Sequence, residues 1–296
     1  MSTQRRIGQF TVSSIGLGAM PLSASGKPAP PRDQALATVH AALDAGITLI
    51  DTADIYAPSW DSMGHNESLV AEALAAYTGD TSNVVLATKG GITRSEGEVW
   101  GRNGSAEYLR EAAERSRERL GVDSIDLYYW HRPDRAIRYA DAIEALAALK
   151  ASGVIKEIGV SNANVEELQV ALDVLGEGQL AAVQNEFSPR FNHTSYPELQ
   201  FCAEHGIAFL PWSPLGGTSG GADAIGSRFP VLAQVADARG VSPQLVTLAW
   251  ELSLGEHVIP IPGASRPASI QDSANAMTFD LTGDERDRIS GALLQG

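Results

Sequence analysis

Short apolar runs recur along the chain, and most of them end on polar or charged residues. The runs are rich in Val, Ile and Leu, which is typical of strands that are buried on both faces. Because each run is followed by polar residues, we expect parallel strands with one working face at their carboxyl ends. The predicted strands cover residues 14–18, 47–50, 84–87, 125–130, 154–160, 180–183, 207–211 and 258–261.

Between these runs the apolar positions recur at helical spacing. In segment 33–45, Leu36, Val39 and Leu43 share one face, Asp33 is a predicted N-cap and Gly46 ends the helix. A helix over 164–176 begins with an Asn and carries a Glu three residues later, which resembles a capping box. The other predicted helices cover residues 66–77, 105–120, 139–152, 197–205, 230–238, 243–254, 267–276 and 282–294.

Two segments stand outside this alternation. Residues 1–12 are polar with apolar positions at Ile7, Phe10 and Val12, and we expect a small hairpin that plugs the bottom of a barrel. Residues 215–227 are rich in glycine, and we expect a mobile loop at the working face.

The order of the elements predicts the fold class. Eight strand–helix units in succession favour an α/β protein built as a (β/α)8 TIM barrel, with the N-terminal hairpin and extra helices near the C-terminus. The chain has 296 residues, of which 44% are hydrophobic, so it can bury a large core. Neither an internal repeat nor a linker divides it, and we expect a single domain over 1–296.

Composition narrows the classes of partner. The formal net charge is -14, with acidic residues spread along the chain, so nucleic acid is not an expected partner. The single cysteine, Cys202, excludes an internal disulfide and is expected as a small core residue. The sequence has neither a signal-peptide pattern nor an apolar span of about 18 residues, and we expect a cytoplasmic protein without a membrane segment.

Four titratable residues fall at the ends of neighbouring strands. Asp51, Lys89 and His131 follow the second, third and fourth predicted strands, and Tyr56 lies five residues after Asp51. Adjacent strands lie about 4.8 Å apart, so Asp51 and Lys89 are expected to pair. A neighbouring ammonium favours an ionised phenol, so we expect Lys89 to lower the pKa of Tyr56 and make it a better proton donor. Taken alone, Asp51 could equally be a structural carboxylate that caps a loop.

A set of motifs around these residues resembles the aldo-keto reductase superfamily, in particular its bacterial-type NADPH-dependent members. The motifs occur in the family's order over nearly the whole chain and read DTADIY, ATKGG, YYWHRPD, GVSN, QNEFSP, PWSPLGG and IPGASRP. The resemblance implies a (β/α)8 barrel that reduces aldehydes or ketones by hydride transfer from NADPH. It implies Tyr56 as proton donor, Lys89 and Asp51 as its tuning pair, and His131 as the residue that orients the carbonyl.

The same resemblance implies a cofactor site. The carboxamide of the nicotinamide would be held by Ser161, Asn162 and Gln184, with Trp212 stacked on the ring. Residues 213–216 would run under the pyrophosphate, and 263–266 would bind the adenosine phosphate. The residues implied at the cofactor are Gly18, Ala19, Met20, Asp51, Ser161, Asn162, Gln184, Trp212, Ser213, Pro214, Leu215, Gly216, Gly263, Ser265, Arg266, Ser269 and Asp272.

The chain departs from the family's pattern in places. A familiar glycine is replaced by Ala71 and a usual aromatic by Ala163. In the last cofactor helix, Ser269, Asp272 and Ser273 stand where many relatives have Gln, Glu and Asn. A guanidinium is always charged and forks two hydrogen bonds, so Arg266 is the candidate for a 2′-phosphate and favours NADPH over NADH.

Several other side chains have competing interpretations. The loops after strands two and three carry Trp60 and Trp100, which with His131 are the predicted substrate contacts and would favour hydrophobic carbonyls. Trp130 is expected either in the core or at the pocket, and His65 is expected at a helix start. The remaining histidines lack a second ligand at metal spacing, and no metal is predicted.

The main functional hypothesis is an NADPH-dependent carbonyl reductase with a small-molecule carbonyl substrate. It is taken as a monomer by default, with a homo-oligomer as the alternative. An alternative is a cofactor-binding regulatory subunit with little turnover, resembling potassium-channel β subunits. A third hypothesis, a barrel hydrolase or isomerase that uses Asp51 and His131, predicts no binding of a nicotinamide cofactor.

Overall fold

The computed structural model describes residues 3–23, 28–193, 195–217 and 221–294. The chain opens with an antiparallel hairpin of β1 (Gln4–Ile7) and β2 (Phe10–Ser13). Alternation along the two strands turns Ile7 and Val12 inward, where they are buried with Leu49 and Leu127 of the barrel interior. The predicted hairpin plug is confirmed.

A parallel sheet forms the frame of the molecule. Its order is β3, β4, β5, β8, β9, β10 and β11, so each strand pairs with the next one of the sheet along the chain. Sequential parallel pairing is what the alternating strand and helix pattern predicts. The strands are β3 (Leu17–Gly18), β4 (Leu49–Asp51), β5 (Val85–Gly90), β8 (Ile125–Trp130), β9 (Ile155–Ser161), β10 (Leu180–Gln184) and β11 (Ala208–Phe209).

The segment 258–263 closes the sheet into a barrel. It forms parallel bridges from Val258 to Phe209 on one side and from Gly263 to Gly18 on the other. The predicted eighth strand is therefore present as an extended closing segment, without a continuous ladder. The reason is that Pro260 and Pro262 have no amide hydrogen to donate.

Helices connect the strands and cover the outside of the barrel. They pack through apolar faces in two large clusters, one around Trp250 and Leu146 and the other around Val39 and Ile270. The helices are α1 (Arg32–Asp44), α2 (His65–Ala76), α3 (Ala106–Leu120), α4 (Tyr139–Ala151), α5 (Val165–Leu175), α6 (Tyr196–Glu204), α7 (Gly221–Arg228), α8 (Pro230–Arg239), α9 (Pro243–Leu252), α10 (Pro267–Asn275) and α11 (Gly283–Leu293).

Local capping explains several of the helix ends. The predicted capping box of α5 is confirmed: the Asn164 side chain accepts from the Glu167 amide at 2.9 Å, and the Glu167 carboxylate accepts from the Asn164 amide at 3.0 Å. The predicted N-cap at Asp33 is wrong. Helix α1 starts at Arg32 with Pro31 as its N-cap residue, two positions earlier than predicted, and Asp33 lies inside the first turn.

Two loop predictions need correction. In the glycine-rich run, residues 221–228 form α7, because Ile225 is buried and Gln244 donates to the Ala222 carbonyl at 2.7 Å. Residues 218–220 of that run lie outside the described ranges. After β5, where the sequence predicts a loop, the strands β6 (Ile92–Ser95) and β7 (Val99–Arg102) form a hairpin. Both strands are largely exposed, so no buried alternation marks them.

Candidate active site

The four predicted catalytic residues meet at the carboxyl end of the barrel. Asp51 is the last residue of β4, Lys89 is the penultimate residue of β5, and His131 follows β8 directly. Tyr56 comes from the loop after β4. Because neighbouring parallel strands end at the same edge, residues far apart in sequence converge there.

Lys89 is the centre of this group. Its ammonium nitrogen lies 2.5 Å from Asp51 Oδ1, 2.8 Å from the Thr52 carbonyl oxygen and 3.2 Å from Tyr56 Oη. The side chain is fully buried, so all three of its donors are used inside the protein. Burial by itself would lower the pKa of Lys89, but the charges and hydrogen bonds of Asp51 and Tyr56 raise it. Lys89 is therefore held as an ammonium.

The direction of the pKa shift at Tyr56 differs from the expectation. Burial raises the pKa of the phenol, and Asp51 raises it further, while Lys89 only partly opposes them. The expected lowering is therefore wrong, because desolvation of the phenolate outweighs the ammonium. Since Lys89 donates to the phenol oxygen, the phenol hydrogen stays available for another acceptor. Tyr56 is thus a protonated donor at neutral pH.

Asp51 is held from two sides. Lys89 donates to its Oδ1, and the Gln184 amide nitrogen donates to its Oδ2 at 2.8 Å. Both partners are buried, so the carboxylate is oriented without bulk water. A structural role for Asp51 does not exclude a role in the site, because the same hydrogen bond orients Lys89 beside Tyr56.

His131 stands beside Tyr56. The two rings meet edge to face with their centres 5.8 Å apart. Burial, together with the positive charges of Lys89 and Arg132, holds the pKa of His131 well below its usual value, so the imidazole is neutral at neutral pH. A neutral imidazole carries one N–H donor, which suits a carbonyl oxygen.

A hydrogen-bonded bridge holds the loop that carries Tyr56. Thr52 Oγ1 donates to Asn66 Oδ1 at 2.6 Å, and Asn66 Nδ2 donates to the Ala19 carbonyl at 2.9 Å. The Ala19 amide in turn donates to the Asp51 carbonyl at 2.8 Å. The turn 18–20, whose residues the resemblance implies at the cofactor, therefore lies next to Asp51.

The three residues predicted for the carboxamide lie together at the ends of β9 and β10. Ser161 Oγ donates to the Gln184 carbonyl at 2.7 Å, and Asn162 Nδ2 donates to the His131 carbonyl at 3.1 Å. Asn162 has φ 60°, in the left-handed region. These bonds leave the side-chain oxygens of Asn162 and Gln184 as acceptors, which fits an amide NH₂ group.

The segment after Trp212 has the backbone of an anion cradle. Positive φ values occur at Ser213 (53°), Gly216 (87°) and Gly217 (78°). Successive turns of this kind point amide N–H groups into one concavity, which suits phosphate oxygens. Buried Trp212 Nε1 has no hydrogen-bond partner in the described part of the chain. The predicted pyrophosphate segment, which includes Pro214 and Leu215, fits the group that the resemblance implies.

The predicted adenosine end lies at the N-terminus of α10. Gly263 pairs with Gly18, and the Ser265 carbonyl accepts from Gln34 at 2.7 Å. Arg266 is exposed, and its Nε donates to Ser269 Oγ at 2.8 Å. A helix N-terminus next to a guanidinium is a favourable place for a phosphate. One predicted contact is otherwise engaged in the structure: the Asp272 carboxylate accepts from Ser242 at 2.6 Å.

Comparison with known proteins identifies the family. Residues 14–293 match the Aldo/keto reductase family. The chain belongs to this family. A reductase of Novosphingobium aromaticivorans that acts on 6-dehydroglucose is 36% identical over 280 residues, which cover 92% of this chain and 90% of the relative.

Solved structures of aldo/keto reductases agree with the fold. A Klebsiella pneumoniae aldo/keto reductase in complex with NADP and acetate superposes with a TM-score of 0.81 at 28% identity, covering 99% of this chain and 96% of that one. A glycerol dehydrogenase of Gluconobacter oxydans has a TM-score of 0.83 at 25% identity, with 99% and 95% covered. The protein is thus an oxidoreductase with the TIM-barrel fold of the aldo/keto reductases.

The predicted aromatic substrate contacts lie on the rim of this aldo/keto reductase. Trp60 is 38% exposed and Trp100 is 58% exposed. Arg94 joins the two loops, donating to the Ala57 carbonyl at 2.9 Å while its guanidinium carbon lies 4.8 Å from the Trp100 ring centre. The hairpin β6–β7 therefore braces the loop that follows Tyr56, and the rim is aromatic on this side.

Three side chains with open interpretations have structural roles. Trp130 is buried and packs on Tyr139 with ring centres 5.0 Å apart, so it belongs to the core. Cys202 is fully buried, and burial raises the pKa of its thiol, as expected for a small core residue. His65 begins α2 and lies 2.8 Å from Ser23 Oγ, as expected for a residue at a helix start.

One charged side chain at the working face was missed by the sequence analysis. Arg132 follows His131 and is half-buried between that residue and Trp212. Its position directly after a strand-end histidine was a signal that could have been used.

Within the described ranges, no group of three or more His, Cys, Asp and Glu side chains is placed to hold a metal ion. No helix among the described residues combines the length and apolar character needed to cross a bilayer.

Proposed function

We propose that this protein reduces an aldehyde or ketone to an alcohol, with NADPH as the preferred hydride donor. The observation that supports it most strongly is the placement of buried Lys89 between Asp51 and Tyr56, with His131 against the Tyr56 ring. When bound, the reduced nicotinamide supplies the hydride. The chain's own residues supply the orientation of the carbonyl and the proton.

Tyr56 is the proposed proton donor. Its phenol hydrogen is free, and the developing alkoxide is a stronger base than the phenolate that remains. Lys89 donates to the phenol oxygen throughout, so it stabilises the negative charge that appears there after proton transfer. Asp51 keeps Lys89 charged and in place, which makes it a positioning residue.

His131 is the proposed carbonyl-orienting residue. Its neutral imidazole donates one hydrogen bond, and a second donor beside Tyr56 fixes the carbonyl oxygen between two groups. A charged imidazolium would compete for the proton transfer, so the depressed pKa of His131 favours Tyr56 as the donor.

The proposed cofactor preference rests on two features that suit phosphate groups, the turn 213–217 and Arg266 at the N-terminus of α10. The turn 213–217 suits a pyrophosphate, and exposed Arg266 suits a 2′-phosphate, which NADPH has and NADH lacks. The Klebsiella pneumoniae neighbour was crystallised with NADP, which supports the same choice. Ser161, Asn162 and Gln184 would hold the carboxamide, with Trp212 at the ring.

The names of two relatives support a small polar substrate. One reduces 6-dehydroglucose and another oxidises glycerol, so both act on polyhydroxylated compounds. We propose a small-molecule carbonyl compound as the substrate, one catalytic domain over residues 1–296, a monomeric enzyme and a cytoplasmic location.

The test is turnover with a matched catalytic variant. We expect NADPH to quench the tryptophan fluorescence of the wild-type protein, and an aromatic aldehyde to consume NADPH absorbance. Tyr56→Phe, which removes one hydroxyl, should keep the quenching and lose kcat by about 10² to 10⁴. Tight binding without turnover of any aldehyde or ketone would favour the regulatory-subunit hypothesis instead. Absence of binding by NADPH and NADH would contradict both hypotheses.

A further inference from the structure

A half-buried arginine stands at the working face without a partner. Arg132 follows the last residue of β8, Trp130, by two positions, and its guanidinium carbon lies 5.8 Å from the centre of the Trp212 ring. Among the described residues, it takes part in no hydrogen bond and no ion pair. A guanidinium has five N–H donors, and removing them partly from water without an acceptor is unfavourable.

The neighbouring arginines differ from Arg132 in this respect. Arg94 pairs with Glu98 and donates to two carbonyls of the loop after β4. Arg102 donates to the Pro133 carbonyl at 3.1 Å. Arg190 is exposed and lies over the Phe191 ring at 5.0 Å. Only at Arg132 is a partly desolvated guanidinium left with free donors in this part of the described structure.

The surroundings of Arg132 are locally positive. Burial and the charge of Arg102 lower the pKa of Arg132, while Glu186 and Tyr56 raise it. Burial raises the pKa of the Glu186 carboxyl, and the charges of Arg132 and Arg190 partly oppose that shift. Glu186 nevertheless forms no ion pair with either arginine in the described structure. The protein as a whole carries a net charge of -14, which repels anions from most of its surface. The group formed by Arg102, Arg132 and Arg190 is therefore a locally positive region on a negatively charged protein.

Arg132 directly follows His131 in the chain, and its guanidinium carbon lies 5.8 Å from the Trp212 ring centre, so it is close to the reacting groups. Its charge influences the pKa values of both His131 and Tyr56, the two residues proposed to contact the carbonyl oxygen. A substrate whose carbonyl lies at these residues would place its remaining atoms near the free guanidinium. The donors of Arg132 suit a planar or tetrahedral oxyanion, which accepts two hydrogen bonds from one guanidinium.

We propose that Arg132 binds an oxyanion of the substrate, a carboxylate or a phosphate, and so selects anionic aldehydes and ketones. The inference rests on the proposed reductase function and names its substrate class. It replaces the expectation of hydrophobic carbonyls that the aromatic rim at Trp60 and Trp100 suggests. The aromatic rings at Trp60 and Trp100 are exposed, whereas the guanidinium of Arg132 is half-buried and lies over the Trp212 ring.

The experiment compares matched neutral and anionic substrates. For carboxylates the pair is 4-carboxybenzaldehyde and methyl 4-formylbenzoate, and for phosphates it is glyceraldehyde 3-phosphate and glyceraldehyde. We expect the wild-type enzyme to prefer the anionic member of one pair by about tenfold to a hundredfold in kcat/KM, as for a charged hydrogen-bonded contact. The pair that shows the preference identifies the oxyanion.

Variants then assign the preference to one residue. Arg132→Gln should bring the ratio of anionic to neutral kcat/KM close to one, mainly by raising KM for the anion. Arg132→Lys keeps the charge without the planar fork and should retain part of the ratio. Arg190→Gln removes the same charge from the same rim and should leave the ratio at the wild-type value.

A preference that survives Arg132→Gln, or a wild-type enzyme without preference in either pair, would overturn the inference. A direct binding measurement separates it from the reductase proposal. Benzoate and inorganic phosphate are titrated against tryptophan fluorescence, since Trp212 lies beside Arg132. If no carbonyl is reduced but one anion binds to the wild type and not to Arg132→Gln, the anion site stands and the reaction fails. If neither anion binds to the wild type, the anion site fails.

Discussion

The ammonium nitrogen of Lys89 lies 3.2 Å from the phenol oxygen of Tyr56 and donates a hydrogen bond to it. Lys89 cannot receive the phenol hydrogen, because an ammonium has no acceptor. The proton of Tyr56 is thus directed away from Lys89 and toward the open side of the site. Burial keeps the pKa of Tyr56 above its ordinary value, so the resting phenol stays protonated in spite of Lys89. The main effect of Lys89 is therefore to stabilise the phenolate that remains after proton transfer.

This relationship predicts the pH dependence of reduction. The protonated phenol is the active form, and its raised pKa keeps it protonated up to and beyond the ordinary tyrosine value of about 10. We expect kcat/KM for a neutral aldehyde to stay level through neutral pH and to fall only above about pH 10. In Lys89→Met the opposing charge is gone, so the fall should move to still higher pH while kcat drops. A fall that begins near pH 8 in the wild type would show that Lys89 wins over burial.

Arg266 should discriminate between the two cofactors. Its guanidinium is exposed, and it is held by Ser269 at the N-terminus of α10. We expect Arg266→Ala to weaken NADPH binding by about tenfold or more, the scale of a charged hydrogen bond, and to change NADH binding by less than about twofold. Fluorescence titration measures both. Arg286→Ala, an exposed arginine on α11, is the control, and equal losses for both nucleotides in Arg266→Ala would argue against a 2′-phosphate contact.

Glu251 should destabilise the protein at neutral pH. It is fully buried in α9, and in the described structure neither carboxyl oxygen has a hydrogen-bond partner. Burial holds its pKa well above the usual value, so the folded state binds a proton that the unfolded state releases above about pH 4.3. Stability from this group is therefore present below that pH and is lost as the pH rises.

Neutralising Glu251 tests that sign. We expect Glu251→Gln to raise the free energy of unfolding by about 1–3 kcal/mol at pH 8, and the gain to vanish near pH 4. Urea unfolding at the two pH values measures it. Glu204→Gln, on an exposed site at the end of α6, should change stability by less than about 0.5 kcal/mol at either pH. A gain of equal size at both pH values would show that charge is not the cause.

An ion pair between a buried carboxylate and a half-buried guanidinium joins the helices α2 and α3. Glu67 of α2 is fully buried, accepts from Thr88 at 2.6 Å and pairs with Arg119 of α3 at 3.0 Å. Removing one partner leaves a buried charge uncompensated, so we expect Arg119→Met to cost about 3 kcal/mol in urea unfolding. Arg115→Met breaks an exposed pair with Glu111 on the same helix and should cost less than about 1 kcal/mol. Equal costs would mean that Glu67 is satisfied without Arg119.

The order and the type of the secondary-structure elements are predictable from the sequence. Apolar runs at 47–50 and 125–130 are buried on both faces, and Asn164 with Glu167 forms its capping box within four residues. Such features depend on neighbours along the chain, so one chain is enough to predict them. The convergence of Asp51, Lys89 and His131 is also predictable from the sequence, because the parallel strands of a barrel end at one face.

Properties that depend on contacts between several elements follow only from the folded structure. The pKa of Tyr56 is raised and not lowered, because burial in the folded barrel outweighs the charge of Lys89. Helix α7 forms in a glycine-rich run because Ile225 finds a place in the core. The missing partner of Arg132 is visible only when the positions of all neighbouring side chains are known. The desolvation of a group and the pairing of its charge depend on contacts with residues distant in sequence, and these contacts exist only in the folded chain.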